Sequence, residues 1–211
     1  MKDVKINQHA WLYVTVQGIL ISLAGIIHGV SETLQGNRPT EGMLLKDVGA
    51  FTLIPNYLFT GIAVILVSLC ILVWTIGFIR TKHGATVFLI LSLTLFFVGG
   101  SIGVVVVFLI AWGVATQIRQ PLNWWRKTLS ESSRRQLAKL WRLNFAAGYF
   151  FLSIGVFIWL VFTPPWMAYE DKAPVMLYLS WASLLIGLVF QVMTIVSGFA
   201  KDIEEGGQNS D

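Results

Sequence analysis

The residues best placed to do chemistry are His28 and Glu32. One helical turn apart, an imidazole and a carboxylate meet on the same helix face. Such a pair can hold a proton or a small cation. Gln17, His28, Glu32 and Gln35 fall on one face at 100° per residue, with Asn37 just beyond. The chain from Trp11 to Val30 is apolar, and ionisable groups within or beside a bilayer are costly enough that they face the interior and often carry function. His28, Glu32, Gln35 and Asn37 are therefore the candidate binding residues. The plainer alternative is that His28 and Glu32 pair to cap the outer end of a helix.

Other chemistry finds little support. A metal at His28 and Glu32 would need a further ligand, and only Glu41 and Asp47 are near in sequence. His9 and His83 would both lie near one membrane surface and could in principle hold haem or a metal, but neither has a carboxylate at ligand spacing. Cys70 is the sole cysteine, so no intramolecular disulfide forms; it reads as a small buried hydrophobe. Gln191 reads as an interhelical hydrogen-bonding group. There is no Gly-rich phosphate loop, no Ser–His–Asp order and no H-E-x-x-H run. The sequence names no cofactor.

These residues sit in a chain that is 55% hydrophobic and only 12% charged. A soluble domain carries about 25% charged residues to cover its surface. Charge depletion of this order describes a surface that faces lipid. Crossing about 30 Å of hydrocarbon takes about 20 apolar residues in a helix, and four runs qualify: 10–30, 56–79, 144–162 and 175–199. The first is too long for the h-region of a signal peptide and reads as a retained span. Pro164-Pro165 should end the third of these runs and Pro174 should open the fourth.

The stretch 84–118 would be roughly 52 Å long as one helix, and its middle reads Gly99-Gly100-Ser101-Ile102-Gly103, which favours a turn. Split there, it gives spans at 84–98 and 104–118. Charge supports the split. With six spans and the N-terminus inside, only Arg38, Lys46 and Lys172 of the 15 Lys and Arg lie outside. The five-span alternative, with 84–118 as one long kinked helix, would expose Lys2, Lys5, Arg80, Lys82 and Lys172, against the positive-inside rule. The expected fold is thus all-α: one integral membrane domain over 1–211, a six-span helix bundle in a bacterial cytoplasmic membrane with both termini cytoplasmic.

Residues 119–143 hold seven Lys or Arg against Glu131 alone. Arg126, Lys127, Arg134, Arg135, Lys139 and Arg142, with Leu137, Leu140 and Trp141 at helical spacing, read as a basic amphipathic segment lying on anionic lipid headgroups. Nothing beyond charge points to nucleic acid. In the first span Gly18, Ser22, Gly25 and Gly29 form a small-residue stripe that lets another helix approach closely; it could serve packing within the bundle, or a membrane-protein partner or a second copy. The connection 33–54 carries more apolar residues than a free loop needs and should pack back over His28 and Glu32. The tail from Lys201 reads as solvated.

The runs His28-Gly29-Val30-Ser31-Glu32-Thr33-Leu34-Gln35-Gly36-Asn37 and Ile54-Pro55-Asn56-Tyr57-Leu58-Phe59-Thr60-Gly61 resemble those of an uncharacterised group of small bacterial multi-pass membrane proteins. Those proteins share H-G-x-x-E-x-x-Q-G-N and I-P-N-x-L-x-T-G runs and a later Gly-rich break. The resemblance covers about the first 118 residues and implies membership, not an activity. Three functions stay open: binding or transport of a cation, proton or small polar solute at the outer polar cluster; an accessory subunit of a membrane complex; or a metal-dependent membrane enzyme.

Overall fold

The computed structural model describes residues 6–45, 50–162 and 174–208. Among them are seven helices and three short strands. The all-α expectation holds in substance, and four helices are long and apolar enough to cross a membrane. The chain packs as two compact units, 1–121 and 122–211, where the sequence shows no linker.

In the first unit, α1 spans Gln8–Thr33, α2 Tyr57–Gly77, α3 Gly84–Phe97 and α4 Ile102–Gln117. The segment 84–118 is therefore not one continuous helix. It folds back at Val98–Ser101: Ala85, next to the start of α3, shares a cavity wall with Ala115 and Thr116 near the end of α4. Gly99 makes the reversal, since its φ of +124° lies where side chains are strained. A methyl on Gly100 would lie 2.6 Å from the Leu95 carbonyl oxygen. The arms of 14 and 16 residues are each shorter than the ~30 Å hydrocarbon core.

A break of this kind frees backbone groups that lipid cannot satisfy. They are met by a sheet the sequence reading did not foresee. Strands β1 (Leu44–Leu45), β2 (Ala50–Thr52) and β3 (Val98–Ser101) pair antiparallel in that order, with Ala50 opposite Ser101 and Thr52 opposite Val98. Phe51 stacks on Phe96 at 5.4 Å between ring centres. The connection 33–54 thus does pack back on the helices, as its apolar residues imply. Lys46 and Asp47 lie outside the described residues.

The first unit is apolar outside and partly polar inside. On α2 the exposed residues include Phe59, Ile62, Leu66, Leu69, Val73 and Ile76, one lipid-type stripe at steps of three and four. Thr60, Gly61, Ser68 and Thr75 occupy the buried face. Cys70 lies on the exposed side, which corrects its reading as a buried hydrophobe. The apolar run around it did not reveal which face it takes.

In the second unit, α5 (Asn123–Thr128) precedes two long helices, α6 (Glu131–Phe162) and α7 (Pro174–Gln208). They pair antiparallel along their length. Arg134 meets Glu204, Asn144 meets Ser197, Gly148 faces Gln191, and Gly155 faces Leu184. Two expectations change here. Residues 131–143 are not a separate surface helix but the first turns of α6, because no helix breaker separates them from the apolar run. The tail is helical through Gln208 and partly buried at Asp202 and Ile203. Pro174 opens α7 as expected, while Pro164-Pro165 lies outside the described residues.

Candidate functional site

The site forms where the last turns of α1 meet the start of α2 and the glycine reversal of β3. Gly29 and Gly61 bring α1 and α2 together: a methyl on Gly29 would lie 2.8 Å from the Gly61 carbonyl oxygen. Thr33 Oγ1 donates to the Gly29 carbonyl at 2.7 Å and sits against Gly61. Helix α1 then ends in a turn at Gly36, whose φ is +80°. The runs His28–Asn37 and Ile54–Gly61 are thus the two sides of one helix junction.

Glu32 is wholly buried at this junction, with 0% exposure. Its Oε1 lies 3.2 Å from His28 Nε2, and the His28 side chain is 17% exposed. That separation suits an ion pair, but the angles do not make a hydrogen bond. Both Glu32 oxygens and His28 Nε2 lack hydrogen-bond partners among the described residues. Oε2 points at Gly99, close enough that a methyl there would lie 3.2 Å away. Thr60 packs on the same glycine, and its hydroxyl is shared with Thr52 at 3.2 Å and the Ile54 carbonyl at 3.1 Å. Strands β2 and β3 thus close over the carboxylate.

A buried carboxylate without hydrogen bonds is expensive unless it is neutralised. Three species could neutralise it here: the imidazolium of His28, a proton, or a small cation. The geometry offers one carboxylate and one imidazole. Among the described residues no group of three His, Cys, Asp or Glu side chains could hold a metal. Glu41 is exposed on the connection, and Asp47 is not described.

Of the four candidate binding residues, His28 and Glu32 come together. Gln35 and Asn37 serve the turn instead. The Gln35 carbonyl accepts from Arg38 Nε at 2.8 Å. Asn37 Oδ1 accepts from Asn56 Nδ2 at 2.7 Å, and Asn56 Oδ1 in turn accepts the Phe59 amide, capping α2. The contribution of Gly99 to the carboxylate pocket, and of Thr60 and Thr52 to its cover, escaped the sequence reading. The T-G ending of the second run was the only trace.

The small-residue stripe is occupied by α2. Gly18 packs on Thr75, Gly25 on Ser68 and Gly29 on Gly61 and Ile65. Ser22 is buried and bonds its own helix at the Gly18 carbonyl. Gln191 packs over Gly148 within the second unit, its Nε2 about 3.1 Å from where a methyl would stand.

The basic segment divides. Arg126, Lys127, Arg135, Lys139 and Arg142 are exposed. Arg134 is turned inward: Nε contacts Glu204 at 3.1 Å, and Nη1 donates to the Arg126 and Leu129 carbonyls at 3.1 and 3.0 Å. Arg135 also reaches Glu131 and Glu204. One expected lipid contact is therefore a structural clasp between α6 and α7.

No protein-family model matches this chain, and no curated protein and no solved structure is detectably similar to it.

Proposed function

We propose that the protein is a multi-pass membrane protein that binds a proton or small cation at Glu32 and His28, at the outer end of the bundle. The observation that carries this reading is the fully buried Glu32 carboxylate, with no hydrogen bond among the described residues and one imidazole at 3.2 Å. Packing alone does not call for a carboxylate here, since a wholly buried one carries a desolvation cost that an apolar side chain of similar size does not. Transport of the bound species follows if the sheet over the site opens. The accessory-subunit reading loses its proposed contact, because α2 already covers the glycine stripe. The enzyme reading lacks a third ligand among the described residues.

The accompanying topology is six membrane segments in a bacterial cytoplasmic membrane with both termini inside. Support comes from the positive end of the first unit, where Arg80, Lys82 and Arg119 gather: Arg119 Nη1 donates to the Arg80 carbonyl at 2.9 Å. In a Cys70→Ser background, single cysteines at Ser101 and Ser132 should label from opposite sides, Ser101 from outside. Labelling of both from one side overturns the six-segment arrangement.

The site is tested by the melting point of the purified protein against Na⁺, K⁺, Mg²⁺, Ca²⁺ and Zn²⁺, together with the infrared carbonyl band of a protonated carboxyl. A ligand bound only by the folded state raises the melting point. Glu32→Gln should remove that rise, or remove the protonated-acid band, while helical content persists. No cation effect and no such band, or both unchanged in Glu32→Gln, sink the proposal.

A further inference from the structure

At the end of the first unit opposite Glu32, a cavity of about 250 Å³ lies between the α2–α3 turn and the last turn of α4. Its polar wall is Thr81, Lys82, Thr116, Arg119 and Gln120, and Ala85 of α3 completes it. No carboxylate among the described residues lines it beside the two cations. Among the described residues the acidic side chains of this unit are Glu32 and Glu41, both at the far end.

The donors are held ready. Arg119 is fixed by its Nη1 contact with the Arg80 carbonyl, leaving its other N–H groups for a ligand. Lys82 is exposed at the rim and forms no ion pair among the described residues. Thr116 already donates to the Gly113 carbonyl at 2.7 Å, so the remaining donors are Thr81 and Gln120. Helix α3 starts here with no side-chain cap, and its positive end adds to the field. Two tryptophans lie at this end of the unit. Trp74 Nε1 donates to the Gly84 carbonyl at 3.0 Å, and Arg80 lies 3.9 Å over the Trp11 ring. Trp concentrates at headgroup level.

We propose that this cavity binds a phosphate oxyanion, held by Lys82 and Arg119, presented by an anionic phospholipid headgroup or as free phosphate. At ~30 Å³ per water, the space holds a phosphate group with part of its ester. All the residues that line this site belong to the first unit, and Glu32 is not among them.

The test uses the full chain with Arg126, Lys127, Arg135, Lys139 and Arg142 changed to Gln, so that the second unit's surface charge does not answer for the cavity. It is placed in phosphatidylcholine nanodiscs, with inorganic phosphate added in one arm and phosphatidylglycerol included in the other. A melting-point rise in either arm is expected. Lys82→Gln should weaken the apparent affinity about tenfold, the weight of one charged hydrogen bond, and Lys82→Arg should retain most of it. A rise with inorganic phosphate identifies free phosphate. A rise with phosphatidylglycerol alone identifies the headgroup. No rise in either arm overturns the site, and so does a rise that Lys82→Gln leaves intact. Circular dichroism of Lys82→Gln checks that the fold persists.

Discussion

In the second unit Asn144, Ser180, Ser183 and Ser197 each reach a hydrogen-bond partner. Asn144 donates to Ser197, Ser180 to the Gly155 carbonyl and Ser183 to the Phe151 carbonyl. In the first unit Glu32, Ser68 and Ser92 are buried with no partner among the described residues. Both units use glycine to bring helices close, at Gly29 and Gly61 in one and at Gly155 and Gly187 in the other. The materials are alike, and the treatment of polar groups is not. Interhelical hydrogen bonds hold the α6–α7 pair together. In the first unit α1 and α2 are held by tight glycine contact, and Glu32, Ser68 and Ser92 are the groups that face no hydrogen-bond partner among the described residues.

That contrast can be broken at three places. Gly29→Ala places a methyl 2.8 Å from the Gly61 carbonyl oxygen and the Ile65 side chain, so it should cost about 1–3 kcal/mol, the usual range for overpacking. Equilibrium unfolding in mixed detergent measures it. Retention of full stability would mean that the glycine contact does not hold α1 to α2. Asn144→Ala, which removes the bond to Ser197, should cost about 0.6–1.7 kcal/mol, the scale of hydrogen bonds between membrane helices. No loss there would erase the difference between the units. Glu32→Gln comes last on the same scale, with stability little changed, because the amide keeps the shape of the carboxyl beside His28 and needs no neutralising partner of its own. A large loss would return Glu32 to the role that Asn144 plays.

Much of this was legible beforehand. The long apolar runs became α1, α2, α6 and α7, since hydropathy over some 20 residues leaves a helix few alternatives in lipid. The reversal at Gly99 was readable from the glycine cluster, and the meeting of His28 with Glu32 from their spacing. The sheet was not readable. Its strands are two to four residues long, too short for an alternating pattern, and β2 and β3 lie far apart in sequence. The continuity of α6 was missed for a different reason: charge marks where lipid ends, but a helix does not end there. Arg134 and Glu204 pair across the α6–α7 register, which only the folded pair reveals.

The sheet also sets a schedule for synthesis. Strand β2 leaves the ribosome well before β3, and with roughly 5–20 residues added per second the wait for about 45 more residues lasts seconds. Throughout that interval α1 is already made, Gly99 is not, and Glu32 has no cover. The nascent chain must hold a carboxylate without its β3 cover until that strand is translated. A ribosome pause between Thr52 and Val98 would therefore lengthen the stage at which this junction lacks its β3 cover.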